Sequence, residues 1–402
     1  MSIPVQFNFP ADQTTGTAGE LKSEFDRLRE GADLARVRYP FGGDGWMAVK
    51  YPVVREVLSD PRFGIEPQLE LDDFPRIRYT DARPRPQFIL YDGERHSSRR
   101  KVLMKYLTVK RVKEMRPQLQ RVVNESLDDF ETLGSPGEIV QSFSRIVPVK
   151  VIAALLGSDV PAPEFLAASY FLVDGKASNA EDANEALAII GGFLSKVYEE
   201  KKRTPDDALF SSLIRDTESG RWTEAELLGI AFTLLAAGHS ATGSMLTGII
   251  EWLSYDPELY RRLRNNPEDL PRALDEFYRV VTISPGISRT RLATEDAVIG
   301  GIPVEKGEAI GGNVTAANFD PQVFPDPDTL DIDRVDPAPL MTFGYGKHAC
   351  VGQQVARAEI SIAIQTLLAR YETFENVEPA QGWRDRRPVK GPDELHIRWK
   401  RA

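Results

Sequence analysis

The chain has 402 residues, of which 42% are hydrophobic and 27% charged, with a formal net charge of −10. That allows a large core and argues against a general nucleic-acid binder, which should be basic. A single cysteine excludes an internal disulfide framework. Residues 1–20 lack the basic start and apolar run of a signal peptide, and the longest apolar stretch, around 229–238, is far short of the ~20 residues that cross a bilayer. The expectation is a soluble cytoplasmic protein with no membrane segment.

Helical periodicity dominates the chain. Short amphipathic helices are predicted over 18–30 and 51–59, then two basic-faced helices over 94–107 and 109–133, separated at Thr108. Further helices are predicted over 142–156, 163–171 and 181–202. The clearest helix runs over about 223–254. Thr223 and Glu226 form a capping box at its start, and Asp256-Pro257 stops it. At 1.5 Å per residue it is roughly 48 Å long and crosses the whole molecule. It contains Gly229, Gly238, Gly243 and Gly248. Each costs about 1 kcal/mol against alanine, so a packing or ligand reason is expected.

Strand-like pieces are short: 37–41, 45–50, 289–293, 297–299 and 308–313. Residues 318–345 are rich in Pro and Asp and read as irregular, and so long a loop in a compact chain usually serves a function. A final helix is predicted over 351–370. There are no repeats and no linker, so the fold class is mostly α with a minor β part, in a single domain over 1–402 whose first 20 residues are expected to be flexible.

The chemistry concentrates at 343–357, Phe-Gly-Tyr-Gly-Lys-His-Ala-Cys-Val-Gly-Gln-Gln-Val-Ala-Arg. Two glycines permit a tight backbone with positive φ. Cys350 stands at the mouth of a helix, where the dipole and free N–H groups favour a sulfur anion and a lowered thiol pKa. Gly352 removes a side chain where a flat ligand could approach, and a thiolate suits iron. A lone cysteine is most often an inert buried residue. Here, however, the segment resembles the cysteine-loop signature of the cytochromes P450. Phe343, Gly344, Gly346, His348, Cys350, Gly352, Ala356 and Arg357 all match at the family's spacing.

The resemblance extends over about 40–400 and implies a haem-thiolate oxidoreductase of the soluble bacterial type, with haem b as cofactor and Cys350 as iron ligand. Glu276 and Arg279 match the family's Glu-x-x-Arg pattern, and Arg334 is the matching third member of a buried structural network. His96 and Arg100, one turn apart, match the family's propionate-binding helix, with Arg291 and His348 as further propionate partners. Phe343, Gly344 and Gly352 complete the implied cofactor site. Phe319 and Val355 depart from the family's usual arginine and leucine, at no implied cost to haem binding.

Residues 234–242 resemble the family's Ala-Gly-x-acid-Thr segment over the distal face of the haem. There the glycine opens a groove for dioxygen, and the acid and threonine pass protons. Aligned on Ala237-Gly238, the acid position holds Ser240 and the threonine position holds Ala241. Thr242 lies one step and about 100° further round the helix, off that site unless the helix bulges. Since general acid catalysis is commonly worth 10²–10⁴-fold, the expected substitute is the substrate's own hydroxyl or amide, with water held by Ser240 or Thr242. His239 reads as a helix residue near the substrate rather than a second iron ligand.

Family logic puts Phe88, Ile89, Leu235, His239, Val281, Ile283 and Ile287 against the substrate. Arg76, Arg78, Arg83 and Arg85 are either solvated or meet an acidic group or carrier protein. The resemblance further implies O₂ as co-substrate, a separate ferredoxin with its reductase as electron source, and a monomer. A basic face of Arg99, Lys101, Lys105, Arg111, Lys113, Lys347 and Arg357 would receive the ferredoxin. The leading expectation is hydroxylation or epoxidation of a specialised metabolite (polyketide, terpenoid or peptide-like). The alternatives are an oxidative coupling enzyme without oxygen insertion, and a non-catalytic haem or carrier-protein binder.

Overall fold

The structure is a computed structural model that describes residues 5–6, 26–39, 42–71, 74–75, 87–159, 163–173, 180–218, 220, 222–283, 289–335, 338–381 and 391–402. Ile287 and Arg76, Arg78, Arg83 and Arg85 lie outside the described residues.

The long helix, Glu224–Tyr255, begins where the sequence predicts. Glu226 N–H donates to Thr223 Oγ1 at 3.2 Å, and Thr223 N–H donates back to Glu226 Oε2 at 3.1 Å. Asp256 ends it and caps the next helix, Pro257–Asn265, accepting from the N–H groups of Glu258 and Leu259 at 3.0 and 2.9 Å. By length and composition this helix could cross a membrane, more apolar than its sequence reading allowed, but 61% of its most apolar window is buried inside the protein. It is the central core helix. Against it pack Ile146–Leu156, Pro163–Val173, Ala180–Arg203 and the final helix, Gln353–Arg370. Ile146–Leu156 is apolar on nearly all sides, as a helix buried within the bundle must be.

The minor β part is a six-stranded sheet in the order Val5–Gln6, Leu34–Arg38, Asp44–Ala48, Ala309–Gly312, Arg291–Ala293, Phe63–Gly64. Trp46 stands opposite Ile310, and Ile310 opposite Arg291, which brings Arg291 to the sheet's core face beside helix Tyr51–Ser59. The fold class is as expected. Several elements were not delimited by the sequence: helices Leu209–Glu218, Pro257–Asn265 and Leu270–Val280, and the antiparallel pair Tyr371–Asn376 with His396–Arg401. The predicted strand 37–41 is found at Leu34–Arg38, and the helix predicted over 142–156 begins at Ile146, after a wide turn at Val140–Ser144.

Candidate functional site

The long helix, the cysteine loop, the final helix and the 88–107 region enclose a cavity of about 400 Å³. The irregular 318–345 segment supports its floor. Asn318 Oδ1 accepts from Met341 N–H at 2.8 Å, and its Nδ2 donates to Thr342 Oγ1 at 2.8 Å. Beneath lies the predicted charge network. Arg279 donates from Nε and Nη2 to Glu276 at 2.9 and 2.7 Å, and Arg334 Nη2 approaches the same carboxylate at 3.3 Å. Arg279 also donates to the carbonyls of Asn318, Pro327 and Thr329. Burial alone would raise the Glu276 carboxyl, but Arg279, the Asp331 N–H and Arg334 hold it below its ordinary value.

The cysteine loop closes on itself: Cys350 N–H donates to the Phe343 carbonyl at 2.7 Å, and Gly344 N–H to the Met341 carbonyl at 2.7 Å. Gly344 and Gly346 have φ of +73° and +72°. A Cβ at Gly346 would also stand 2.6 Å from the Leu58 carbonyl oxygen, so glycine is required there twice over. The Cys350 side chain is accessible to the cavity although protein surrounds it. The N–H groups of Gly352 and Gln353 point at its sulfur. The expected lowering of the thiol pKa does not appear: burial pushes it up and outweighs these N–H groups and Arg100. A coordinated metal ion reverses such a balance, because it deprotonates the thiol outright.

Cationic groups converge on one side of the cavity. The His96 and His348 rings stack with centroids 4.1 Å apart. His348 Nε2 lies 3.2 Å from Asp92 Oδ1, while Asp92 Oδ2 accepts from the N–H groups of Ile65 and Glu66 at 2.6 and 2.7 Å. Burial, with the charges of His348 and Arg100, brings His96 down to about 4, so it is neutral at pH 7. Arg100 is half-buried in the wall. Arg291 is buried and donates from Nη1 to the Val57 carbonyl at 2.9 Å, but its Nε has no partner. Burial lowers it to about 10. A buried cationic N–H left unmatched is costly unless an anion completes it. Arg289 lines the cavity as well.

A flat group with two carboxylates and a central iron therefore fits. Its carboxylates can meet His96, Arg100, Arg291 and His348, and its iron can meet the Cys350 sulfur. Nothing lies within 4 Å of where a Cβ on Gly352 would stand.

Facing the sulfur, the long helix contributes Leu234, Ala237, Gly238, Ala241, Thr242 and Met245. At about 100° per residue these positions share one side of the helix, with Ser240 roughly opposite Gly238. Ala241 and Thr242 both reach the cavity without a bulge in the helix, whereas Ser240 is buried away from it. A Cβ on Gly238 would stand 2.6 Å from Ile152 Cδ1, which gives that glycine a packing reason as well.

His239 and Leu235 do not line this cavity. They turn toward Ile146–Leu156 and Pro163–Val173, where the His239 ring meets Tyr170 edge-on at 4.7 Å. His239 Nδ1 lies 2.5 Å from the Leu235 carbonyl and Nε2 lies 3.4 Å from Ser169 Oγ. Burial brings it down to about 4. It is a neutral, packed residue, neither an iron ligand nor a cavity-wall contact. Val281 is buried against Gly248 rather than on the wall, while Phe88, Ile89 and Ile283 do line the cavity. Among the wall residues that the sequence reading missed are two ionisable ones, Arg289 and Glu359. Glu359 left one signal: a carboxyl on the apolar stripe of the final helix.

The family model for cytochrome P450 matches residues 150–382. The chain is 33% identical to nocardicin C N-oxygenase of Nocardia uniformis subsp. tsuyamanensis over 385 residues, covering 94% of this chain and 96% of that protein. It is 32% identical to mycinamicin IV hydroxylase/epoxidase of Micromonospora griseorubida over 386 residues, again 94% and 96% of the two chains. The crystal structure of a cytochrome P450 with biaryl coupling reactivity superposes with a TM-score of 0.89 at 30% identity, covering 98% of this chain and 100% of that one. The chain belongs to the cytochrome P450 family, and is a haem b monooxygenase of the type found in bacteria.

Proposed function

We propose that this monooxygenase hydroxylates or epoxidises a polyketide, terpenoid or peptide-like specialised metabolite in the cytoplasm, as a single haem domain supplied by a separate ferredoxin and its reductase. The observation that carries the reading is the contrast across the cavity. The Cys350 sulfur and a cluster of cations lie on one side, and an almost wholly apolar wall faces them. Two relatives named for antibiotic substrates, nocardicin and mycinamicin, support the substrate class.

Cys350 is assigned as the iron ligand. His96, Arg100, Arg291 and His348 hold the propionates, Gly344 and Gly352 give the ring clearance, and Phe343 packs beside it. Haem, when bound, supplies the activation of dioxygen. The chain's own work is to bind, orient and exclude water. Phe88, Ile89, Leu234 and Ile283 present apolar surface that holds a substrate and keeps the cavity dry. Thr233 and Thr242 are long-helix hydroxyls in the cavity wall; Thr233 donates to the Gly229 carbonyl, so Thr242 is assigned to hold a proton or water there, in place of Ser240 and Ala241. Gly238 keeps the wall low beside them.

Electron delivery is assigned to the exposed cations of the proximal side. Arg99, Arg111 and Arg357 are already paired with Glu226, Glu114 and Asp275. Lys101, Lys105, Lys113 and Lys347 are exposed and suit an acidic ferredoxin.

A second reading, oxidative coupling without oxygen insertion, is favoured by Ala241 where the family's threonine stands and by the structural neighbour's biaryl coupling reactivity. A macrolide, terpenoid and peptide panel, scored by the ferric spin-state change, finds the ligand. Product mass under labelled O₂ then decides. One labelled oxygen atom per product supports insertion, and a product lacking label and two hydrogens supports coupling.

A further inference from the structure

We propose that Arg289 is the cation with which the cavity recognises its substrate, and that it selects a substrate carrying a carboxylate. The inference deepens the reading of the chain as a monooxygenase of a largely apolar metabolite, and rests on it. The metabolite is an acid whose charged end meets Arg289.

Three arginines stand in the described wall of the cavity: Arg100, Arg289 and Arg291. Haem brings two propionates. The positive ferric porphyrin core and a Cys350 thiolate cancel, so the propionates are the charges left to match. Arg100 and Arg291 match them, with His96 neutral and the His348 ring beside Asp92. Arg289 is the third cation, and an arginine side chain stays charged in proteins. Glu359 is the one carboxyl among the described wall residues, and burial raises it well above its ordinary value. The wall with haem in place is therefore net positive by one guanidinium. In a cavity lined mainly by apolar groups, such as Phe88, Ile89 and Ile283, that charge is the strongest feature a ligand can address. Pockets of this kind fix their ligands with a few placed polar groups on an apolar surface.

The backbone around Arg289 is pinned on both sides. Thr290, next in the chain, is buried, and its carbonyl accepts from Gln68 Nε2 at 2.7 Å. Gln68 is itself buried, on the short turn Glu66–Glu70, whose first N–H donates to Asp92 Oδ2 at 2.7 Å. Arg291 then enters the sheet opposite Ile310. The two arginines differ in burial: Arg291 is buried, whereas Arg289 is half-buried and keeps surface that a ligand can reach. A guanidinium is a planar fork of donors that fits a carboxylate through two parallel hydrogen bonds. An apolar body ending in one carboxylate is the ligand that this wall complements.

The test needs no natural substrate. The probes are ω-imidazolyl alkanoic acids of graded chain length, each paired with its neutral primary amide. The imidazole nitrogen binds ferric haem and moves the Soret band, so a dissociation constant is read for each probe without turnover. The carboxyl is ionised at neutral pH, and low salt leaves its charge least screened. We expect a range of chain lengths at which the acid binds about 10- to 100-fold tighter than the amide, the size of a charge-assisted hydrogen bond. Arg289→Gln should abolish that difference and leave the amide's affinity in place. Arg289→Lys, a point charge without the fork, should keep part of it. Haem transfer from Arg289→Gln to apomyoglobin should run at the wild-type rate, because other residues hold the propionates.

Equal affinity of acid and amide at every chain length in the wild type overturns the proposal, as does a preference for the acid that survives in Arg289→Gln. Faster haem loss from Arg289→Gln, matching Arg291→Ala, also overturns it, since Arg289 would then be a propionate partner. Should the glutamine variant fail to fold, Arg289→Lys decides: an undiminished preference, or faster haem transfer, counts against Arg289. The functional reading fails separately. A product bearing no labelled oxygen under labelled O₂ sinks that reading, whereas the comparison of acid with amide uses the ferric protein alone and still reports on Arg289.

Discussion

Arg279 and Glu276, one helical turn apart and both buried, are joined by two parallel hydrogen bonds, and every remaining donor on the guanidinium goes to a backbone carbonyl of the irregular segment. The pair therefore ties the helix Leu270–Val280 to the segment that carries the cysteine loop. Breaking a buried pair strands the surviving charge, at about 3–5 kcal/mol. Arg279→Ala should lower stability by that order and reduce haem content in parallel, read by urea denaturation and by the haem-to-protein absorbance ratio. Loss of stability with full haem content would contradict this coupling.

Arg291 should be worth more to the haem than to the bare fold. Its Nε is the buried donor left unmatched, and a charge-assisted hydrogen bond contributes about 1.5–3 kcal/mol. Arg291→Ala should speed haem transfer to apomyoglobin by roughly 10- to 100-fold, and Arg291→Lys by less. Equal transfer rates in all three proteins would remove Arg291 from the cofactor site.

Two glycines of the long helix should respond differently to alanine. At Gly238 a Cβ meets only the flexible tip of Ile152, and the helix gains about 1 kcal/mol in propensity, so the change should be near neutral for stability. At Gly248 the Cβ runs into the short, stiff side chain of Val281, and overpacking of about 1–3 kcal/mol should exceed the gain. Thermal unfolding of the two variants gives the comparison, and the reverse order would refute it.

Glu251, in the buried half of the same helix, is raised by burial to about 8. The folded state thus holds its proton more tightly than the unfolded chain does. Its contribution to stability is fully present below about pH 4.5, falls as pH rises and is lost by about pH 8. Glu251→Gln, which cannot ionise, should flatten this part of the stability–pH curve and gain most over the wild type above pH 8. Parallel curves for the two proteins would show that the carboxyl does not titrate in this range.

Lys105 and Lys113 are exposed and lie on the face assigned to the ferredoxin. Reversing both charges should slow ferredoxin-dependent haem reduction about tenfold or more at low salt, with the difference shrinking as the Debye length shortens. Stopped-flow reduction under carbon monoxide measures it. An unchanged rate at low salt would move the docking face elsewhere.

Local rules were enough for much of the molecule. Thr223 and Glu226 announce a capping box, and the glycines around Cys350 announce a turn, because both depend on residues a few places apart. The motif spacing was enough to bring Glu276 to Arg279 and His96 to the cavity. Helix Leu270–Val280 and the Tyr371–Asn376 hairpin were not delimited, since their boundaries are set by what they pack against.

The turn geometry of the cysteine loop was legible in the sequence, since a loop's backbone is a local property. The distal side was decided by the tertiary structure. Which of Ser240, Ala241 and Thr242 faces the cavity depends on how the long helix is rotated against its neighbours, and that rotation turns His239 away and Thr242 in. The same packing encloses Glu359, a charged residue by sequence, among apolar side chains with its Oε1 lacking a hydrogen-bond partner, and burial pushes its carboxyl well above its ordinary value.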